Sequence, residues 1–241
     1  MQRRAPKLWV MAALLFGVIV VVLLAHDVPT EPSPDDKAYA GRILSQAGYD
    51  PAGMQSATRT DFEAEVRTIV EVQDAVLTAA PENRGIPLGS ERELKDVFER
   101  KYGLCYDRSR AIEKVLSWLG FETRHVSIYS TASTSRAMAL FTPQSASHAL
   151  SEVRTQKGWM VIDPNARWIG LDADRNPVSL GDIQDTGLRS WAPEARDSIN
   201  EILKGPFVQI RGLYSRHGRF YPPFTPVPDF NLRQLLSNVI D

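Results

Sequence analysis

Tyr102-Gly103-Leu104-Cys105-Tyr106-Asp107-Arg108-Ser109-Arg110-Ala111-Ile112-Glu113-Lys114-Val115-Leu116-Ser117-Trp118-Leu119 carries the only cysteine of a 241-residue chain. After Cys105 the apolar residues Ile112, Val115, Leu116 and Leu119 recur at i, i+3, i+4 and i+7, one face of an amphipathic helix. Gly120 is expected to stop that helix, and Gly103 to act as a flexible joint ahead of it. A helix that begins at or just after Cys105 sets the thiol among unpaired backbone N–H groups at the positive end of a helix dipole, which favours thiolate over thiol. A free cysteine titrates near ~8.5, and such a setting brings it to roughly 3.5–7.5. The stretch therefore predicts a nucleophile presented at a helix start.

A nucleophilic cysteine needs a base, and the base needs a group to orient it. Downstream lie His148, in Ser147-His148-Ala149-Leu150-Ser151-Glu152-Val153, and Asp163, in Gly158-Trp159-Met160-Val161-Ile162-Asp163-Pro164-Asn165. Both stretches alternate apolar and polar residues and read as strands, with a tight turn at Lys157-Gly158. A short hairpin sets a residue near the start of one strand beside a residue near the end of the other. His148 and Asp163 are thereby expected as neighbours.

The order of these residues resembles the transglutaminase-like superfamily, which shares its core with papain-like cysteine proteases. The resemblance rests on Gly103-Leu104-Cys105 ahead of a helix, Leu119-Gly120-Phe121 leading into Thr123-Arg124-His125-Val126, His148 with Glu152-Val153 behind it, and Trp159 shortly before Asp163-Pro164. It covers about residues 60 to 170. Two positions depart from the family pattern: Leu150 stands where a large aromatic is usual, and Asn165 follows Asp-Pro where threonine is common. The resemblance implies an α+β fold in which a helix bearing Cys105 packs on an antiparallel sheet bearing His148 and Asp163, with those three as the catalytic residues.

Other side chains compete for roles. Tyr102 is a weak candidate for a second oxyanion donor beside the Cys105 amide. Glu152 alternates with His148 on one strand and reads as a salt-bridging or supporting residue, with Trp159 as a second supporting candidate. His125 is the rival base, but it falls on a strand expected to pack. Asp172 and Asp174 replace Asp163 only if the hairpin register differs. His26 and His217 are expected to be solvated. No spacing of His, Cys, Asp or Glu reads as a metal site, a single cysteine excludes thiolate clusters and an internal disulfide, and no cofactor is expected.

Composition is ordinary for a globular domain: 43% hydrophobic, 24% charged, with a formal net charge of −1. That balance argues against a nucleic-acid binder. Residues 8–25 are an uninterrupted apolar run, preceded by Arg3, Arg4 and Lys7 and followed by Asp27, Glu31, Asp35 and Asp36. The run is expected to cross a membrane once, with residues 1–7 cytoplasmic and everything after it outside. A cleaved signal peptide is the rival, but Leu23-Leu24-Ala25-His26 is a poor cleavage site.

Residues 26–37, with Pro29, Pro32 and Pro34, read as an extended linker holding a domain off the membrane. A transglutaminase-like domain is expected over 38–204, with its core at about 60–172. Within it, helices are expected over Ala38–Ala47, over Asp61–Ala80 with Asp61 as cap, from Ser90 to Arg100 with a Ser90/Glu93 capping box, and near Ser198–Lys204. Residues 131–147 read as a mobile loop at the substrate lip. Residues 205–241 form a basic, aromatic, Pro-rich extension ending in a helix capped by Asp229. It reads as a loop folded over the core, with binding of a polysaccharide or anionic headgroups as the rival.

The function expected is that of a membrane-anchored, extracytoplasmic thiol enzyme that cleaves or transfers an acyl group of a protein, peptide or cell-envelope polymer. Water as acceptor makes it a protease or amidase; an amine makes it a cross-linking transglutaminase. The alternative is a non-catalytic scaffold of the same fold that binds an envelope polymer or a protein partner.

Overall fold

The computed structural model describes residues 5–57, 61–186 and 199–240. Helices come first: α1 (Ala5–Ala25), α2 (Pro34–Gln46), α3 (Pro51–Ala57), α4 (Phe62–Ala79), α5 (Leu94–Arg100) and α6 (Cys105–Trp118). Then follow β1 (Thr123–Ser130), the short α7 (Arg136–Ala139), β2 (Ser147–Thr155), β3 (Gly158–Ile162), α8 (Leu180–Thr186), β4 (Phe207–Arg211), β5 (Leu213–Tyr214), β6 (Asp229–Phe230) and α9 (Leu232–Ile240). This is the expected mixture of helices and antiparallel sheet. The main sheet has the order β3-β2-β1-β4, and every pairing in it is antiparallel.

The helices expected over 61–80 and after Cys105 form much as their patterns dictate. Asp61 caps α4 by accepting from the Ala64 amide at 2.8 Å. α6 opens at Cys105 itself and closes at Gly120, whose φ of +92° is a left-handed conformation that glycine adopts without strain. Gly103 does more than supply a joint, because a Cβ there would lie 3.1 Å from Asp107 Cβ and 3.3 Å from Arg108 Cγ. The backbone runs so close to the first turn of α6 that a side chain would force the two apart. One face of α6 meets the sheet and the other meets α2 and α4, giving a core that includes Ile69, Val72, Ile112, Leu116, Val153 and Ile162.

Four boundaries differ from the expectation. Residues 26–33 are no free linker: Val28 is fully buried, its amide donates to the Phe230 carbonyl at 2.9 Å, and α2 starts at Pro34 behind a capping box of Ser33 and Asp36. Residues 205–241 are no appended extension, since β4 pairs with β1 and completes the sheet. The last helix is capped by Asn231, which accepts from the Gln234 amide at 3.0 Å, because Asp229 is taken up in β6. α5 starts later than Ser90, with Glu93 as its first flanking residue and no side-chain cap; Glu93 instead pairs with Arg110 at 2.6 Å and Lys114 at 2.8 Å. Of the helix expected near Ser198–Lys204, residues 201–204 form a 3₁₀ turn and Ser198 lies outside the described residues.

From Trp9 to Ala25 α1 carries no charged residue, and its side chains stand clear of the core, with Phe16 68% exposed. Among the described residues no helix is long and apolar enough to cross a membrane. The side chains described in α1 begin at Trp9, and at ~1.5 Å per residue the stretch to Ala25 covers about 26 Å, short of a hydrocarbon core of about 30 Å. Arg3 and Arg4, which set the expected orientation, lie outside the described residues.

Candidate active site

Cys105 is the first residue of α6, half-buried and free. The hairpin of β2 and β3 places Thr155 opposite Gly158 and Ser151 opposite Ile162, so Asp163, one residue beyond β3, arrives beside the start of β2. There His148 Nε2 lies 3.3 Å from both Asp163 carboxylate oxygens. Cys105 acts on the same ring, favouring its charged form. The expected pairing of His148 with Asp163 therefore forms, and Cys105 is close enough to bear on the charge of the same ring. Nε2 is committed to Asp163, which leaves Nδ1 for the sulfur.

Burial of His148 works against its charged form, but the Asp163 carboxylate, by charge and hydrogen bond, and Cys105 after it outweigh this and push the imidazole pKa up to about 10. At neutral pH the ring thus carries its proton at rest. Asp163 is held in turn: its Oδ1 accepts from the Asn165 amide at 2.7 Å. The Gln73 side-chain amide on α4 donates to the carbonyls of Asp163 at 2.8 Å, Ala166 at 2.9 Å and Trp168 at 2.7 Å. That glutamine fastens the loop following the aspartate to the helical layer.

Like Gln73, two further residues at the site, Asp107 and Arg108, carry no signal in the sequence pattern, where they pass for the polar face of a helix. Asp107 is buried and closes the entry to α6, its Oδ2 accepting from the Leu104 amide at 3.0 Å and the Ile86 amide at 3.3 Å. Burial pushes its carboxyl up to about 6, against the pull of the Arg92 guanidinium 3.5 Å away and of those two amides. Arg108, also buried, donates to the carbonyls of Ala80 and Glu82, each at 2.9 Å, and to Asn165 Oδ1 at 2.8 Å. Burial lowers its pKa, while Cys105, Asp107 and Asp163 beside it pull the other way. Asn165, the departure from the family pattern, thus serves as an anchor for Arg108. Beside this pair a cavity of about 520 Å³ opens between Pro81, Asn83, Arg108, Asn165 and Arg167.

The remaining expectations divide. Tyr102 is not placed as an oxyanion donor: its hydroxyl accepts from Arg100 at 3.4 Å on the exposed surface, and Arg84 lies over its ring. Glu152 is a salt-bridging residue, held by Arg124 at 2.6 Å and by the Leu180 amide at 2.8 Å. Trp159 stacks under Arg124, 3.9 Å from its ring centre. Four residues along β2, at ~3.3 Å each, put Glu152 about 13 Å from His148, so this group braces the far end of the sheet rather than the site. His125 is fully buried, bonded through Nδ1 to Glu113 at 2.8 Å and stacked on Tyr214, the packing role expected of it. Asp172 sits in an exposed turn, its carboxyl lowered chiefly by the Asn176 amide, and takes no part. His26 and His217 are not simply solvated: they converge with Asp229.

The aromatic tail folds over the core, as read. Phe220 is buried, its ring 5.7 Å from that of Tyr106, and the Tyr129 hydroxyl donates to its carbonyl. The cluster of Tyr129, Ala139, Ala149 and Phe220 borders Cys105. Residues of the last third of the chain therefore wall the cysteine.

Residues 54–164 match the family model of the transglutaminase-like superfamily, and the mixture of helices and antiparallel sheet is consistent with a core of that kind. The match begins in α3, ends one residue after Asp163 and includes all three site residues. No curated protein sequence matches the chain.

Proposed function

We propose that the chain is a membrane-anchored thiol enzyme of the transglutaminase-like type, in which Cys105 attacks an amide or ester carbonyl. One observation carries this reading: a buried His148 held by both oxygens of Asp163 at 3.3 Å, its charged form favoured also by Cys105 at the start of α6. As the carbon–sulfur bond forms and the carbon–nitrogen bond breaks, His148 gives its proton to the departing amine, and a thioester remains. Water or an amine then attacks the thioester, His148 takes the proton of the incoming nucleophile, and Cys105 leaves. Asp163 fixes the tautomer and holds the imidazolium charge throughout. The Cys105 amide, among the first N–H groups that a helix leaves without an intrahelical acceptor, donates to the developing oxyanion.

Hydrolysis and transfer use the same three residues, so the acceptor decides the outcome. α1 supports the anchor, since it holds bare apolar side chains clear of the fold. With Leu8 the apolar run is about 27 Å long, close to the hydrocarbon thickness of about 30 Å, and it would lie across the bilayer with Arg3, Arg4 and Lys7 on the cytoplasmic side and the catalytic domain outside. The substrate class is a protein, a peptide or a cell-envelope polymer.

Alkylation by iodoacetamide tests the reading directly. At neutral pH the wild-type Cys105 is expected to react at least tenfold faster than a free thiol, and His148→Ala to remove that advantage. Equal rates in both proteins would instead favour the non-catalytic scaffold. Incubation with a glutamine-bearing peptide and a labelled amine then separates a hydrolase, which releases ammonia without incorporating label, from a transferase.

A further inference from the structure

We propose that His26, His217 and Asp229 form a binding site for a divalent transition-metal ion, zinc in the first instance, which clips the C-terminal segment to the base of α1. His26 directly follows α1, and its carbonyl accepts from the Phe230 amide at 3.1 Å, so residues 26–28 lie along β6. Asp229 is the first residue of β6, and His217 comes from the loop before it. Their ligand atoms all lie within 4.8 Å of one another.

The carboxylate is prepared as a ligand. Asp229 is 1% exposed, and its Oδ2 accepts the backbone amides of Arg216 and His217, both at 2.6 Å. Oδ1 is thereby turned toward the two imidazoles, 2.6 Å from His217 Nδ1 and 3.6 Å from His26 Nδ1. Backbone donors on the outer oxygen are the kind of support that orients a metal-binding carboxylate.

The second observation points to something missing between the three. His26 Nδ1 is buried and has no hydrogen-bond partner, since 3.6 Å is too long for a bond to Asp229. A buried nitrogen left in this way costs free energy. An ion between the three groups removes that cost. Zinc at about 2.0–2.2 Å from each ligand in a tetrahedron sets the ligand atoms about 3.3 Å apart. The separation of His26 and Asp229 already suits this. His217, half-exposed and so free to turn, trades its short bond to Asp229 for a bond to the metal by moving away from Oδ1 and toward His26. Its exposed side gives the ion an entrance and leaves room for a water as fourth ligand.

Two imidazoles and one carboxylate suit zinc, whereas magnesium and calcium favour all-oxygen shells. The site shares no residue with Cys105, His148 or Asp163. It has a structural consequence for them, because residues 217 and 229 are the two feet of the loop that carries Phe220 against Tyr106. Zinc would fix both feet and with them that wall of the cysteine.

The test uses the full chain in detergent, stripped with a chelator and titrated with zinc against a chromophoric competitor. Cys105→Ser serves as a second background, because the sulfur is a rival ligand. One zinc per chain is expected in the wild type and in Cys105→Ser, with affinity reduced at least tenfold by His217→Ala, by His217→Gln and by His26→Ala. His217→Gln keeps a hydrogen bond to Asp229 without an imidazole nitrogen. X-ray absorption of the zinc-loaded Cys105→Ser and wild-type chains is expected to show nitrogen and oxygen ligands only. Absence of zinc uptake, uptake unchanged by the His217 substitutions, or uptake lost in Cys105→Ser would each overturn the proposal.

Discussion

A histidine that keeps its proton up to about pH 10 owes this first to Asp163, since burial acts the other way. Asp163→Asn is therefore expected to drop the His148 titration midpoint to or below the ordinary value of about 6.5, read by NMR of the ring protons. The sign for stability follows. A raised folded-state pKa contributes stability that is complete below about pH 6.5 and is lost as pH rises through about 10. The difference in melting temperature between wild type and Asp163→Asn should accordingly shrink across that window. Asp107 acts with the same sign in a lower window: its carboxyl is raised to about 6, so the fold favours the neutral form, and stability falls as pH rises from about 4 to 6. Denaturant titrations are expected to show this decline, of up to about 3 kcal/mol, in the wild type and a flatter profile in Asp107→Asn. Cys105, His148 and Asp163 could be read from the chain because their order and flanking residues carry information. Asp107, Arg108 and Gln73 could not, because a charged or amide side chain facing a loop and one facing water occupy the same positions of a helical period.

Among the elements, α6 departs furthest from the amphipathic pattern that revealed it. Its apolar stripe is buried as expected, but Asp107, Arg108, Ser109, Arg110, Glu113 and Lys114 are buried too. The polar face meets other polar elements instead of solvent. Lys114 lies 2.6 Å from Asp36 and 2.8 Å from Glu93, joining α6 to α2 and to the start of α5. Although burial raises the Asp36 carboxyl, Lys114 and Ser33 together hold it below the usual range, so its contribution is present above about pH 4 and lost on acidification. Lys114→Met leaves the buried Asp36 without its cation, while Glu93 keeps Arg110, and is expected to cost about 3–5 kcal/mol in chemical denaturation. Replacing Asp36 by Leu in the same chain should recover part of that loss. Periodicity revealed α4, α6 and the β2–β3 hairpin because each buries a regular set of apolar residues. It missed the start of α2, where Pro29, Pro32 and Pro34 look like a linker although Ser33 and Asp36 already form the cap. It also misplaced the cap of α9, because Asp229 and Asn231 are both capping residues and only the pairing of β6 selects between them.

At the scale of the molecule, the two ends of the chain are parts of one body rather than a tether and an appendage. β4 pairs with β1 in the middle of the order of elements, and residues 26–28 pair with β6. Such contacts join segments far apart in sequence, and a local pattern of apolar and polar residues holds no record of them. A chain ending at Lys204 would lack β4, expose the edge of β1 along Val126–Ser130 and uncover Tyr129 and the wall of Cys105. Unpaired edges of this kind template aggregation. The truncated chain is expected to be recovered as aggregate or to lose its cooperative unfolding transition, whereas an independent extension could be removed without effect on either. Removal of residues 1–25 makes the converse case. α1 contributes exposed apolar side chains and the fold proper resumes at His26, so the shortened chain should keep its unfolding midpoint within about 0.5 kcal/mol while passing from the membrane pellet to the supernatant. Retention in the pellet in neutral buffer, with release by alkaline carbonate, would show that a surface other than α1 binds the membrane, and the Arg124, Trp159 and Arg233 cavity of about 370 Å³ beside α9 would then be the surface to mutate.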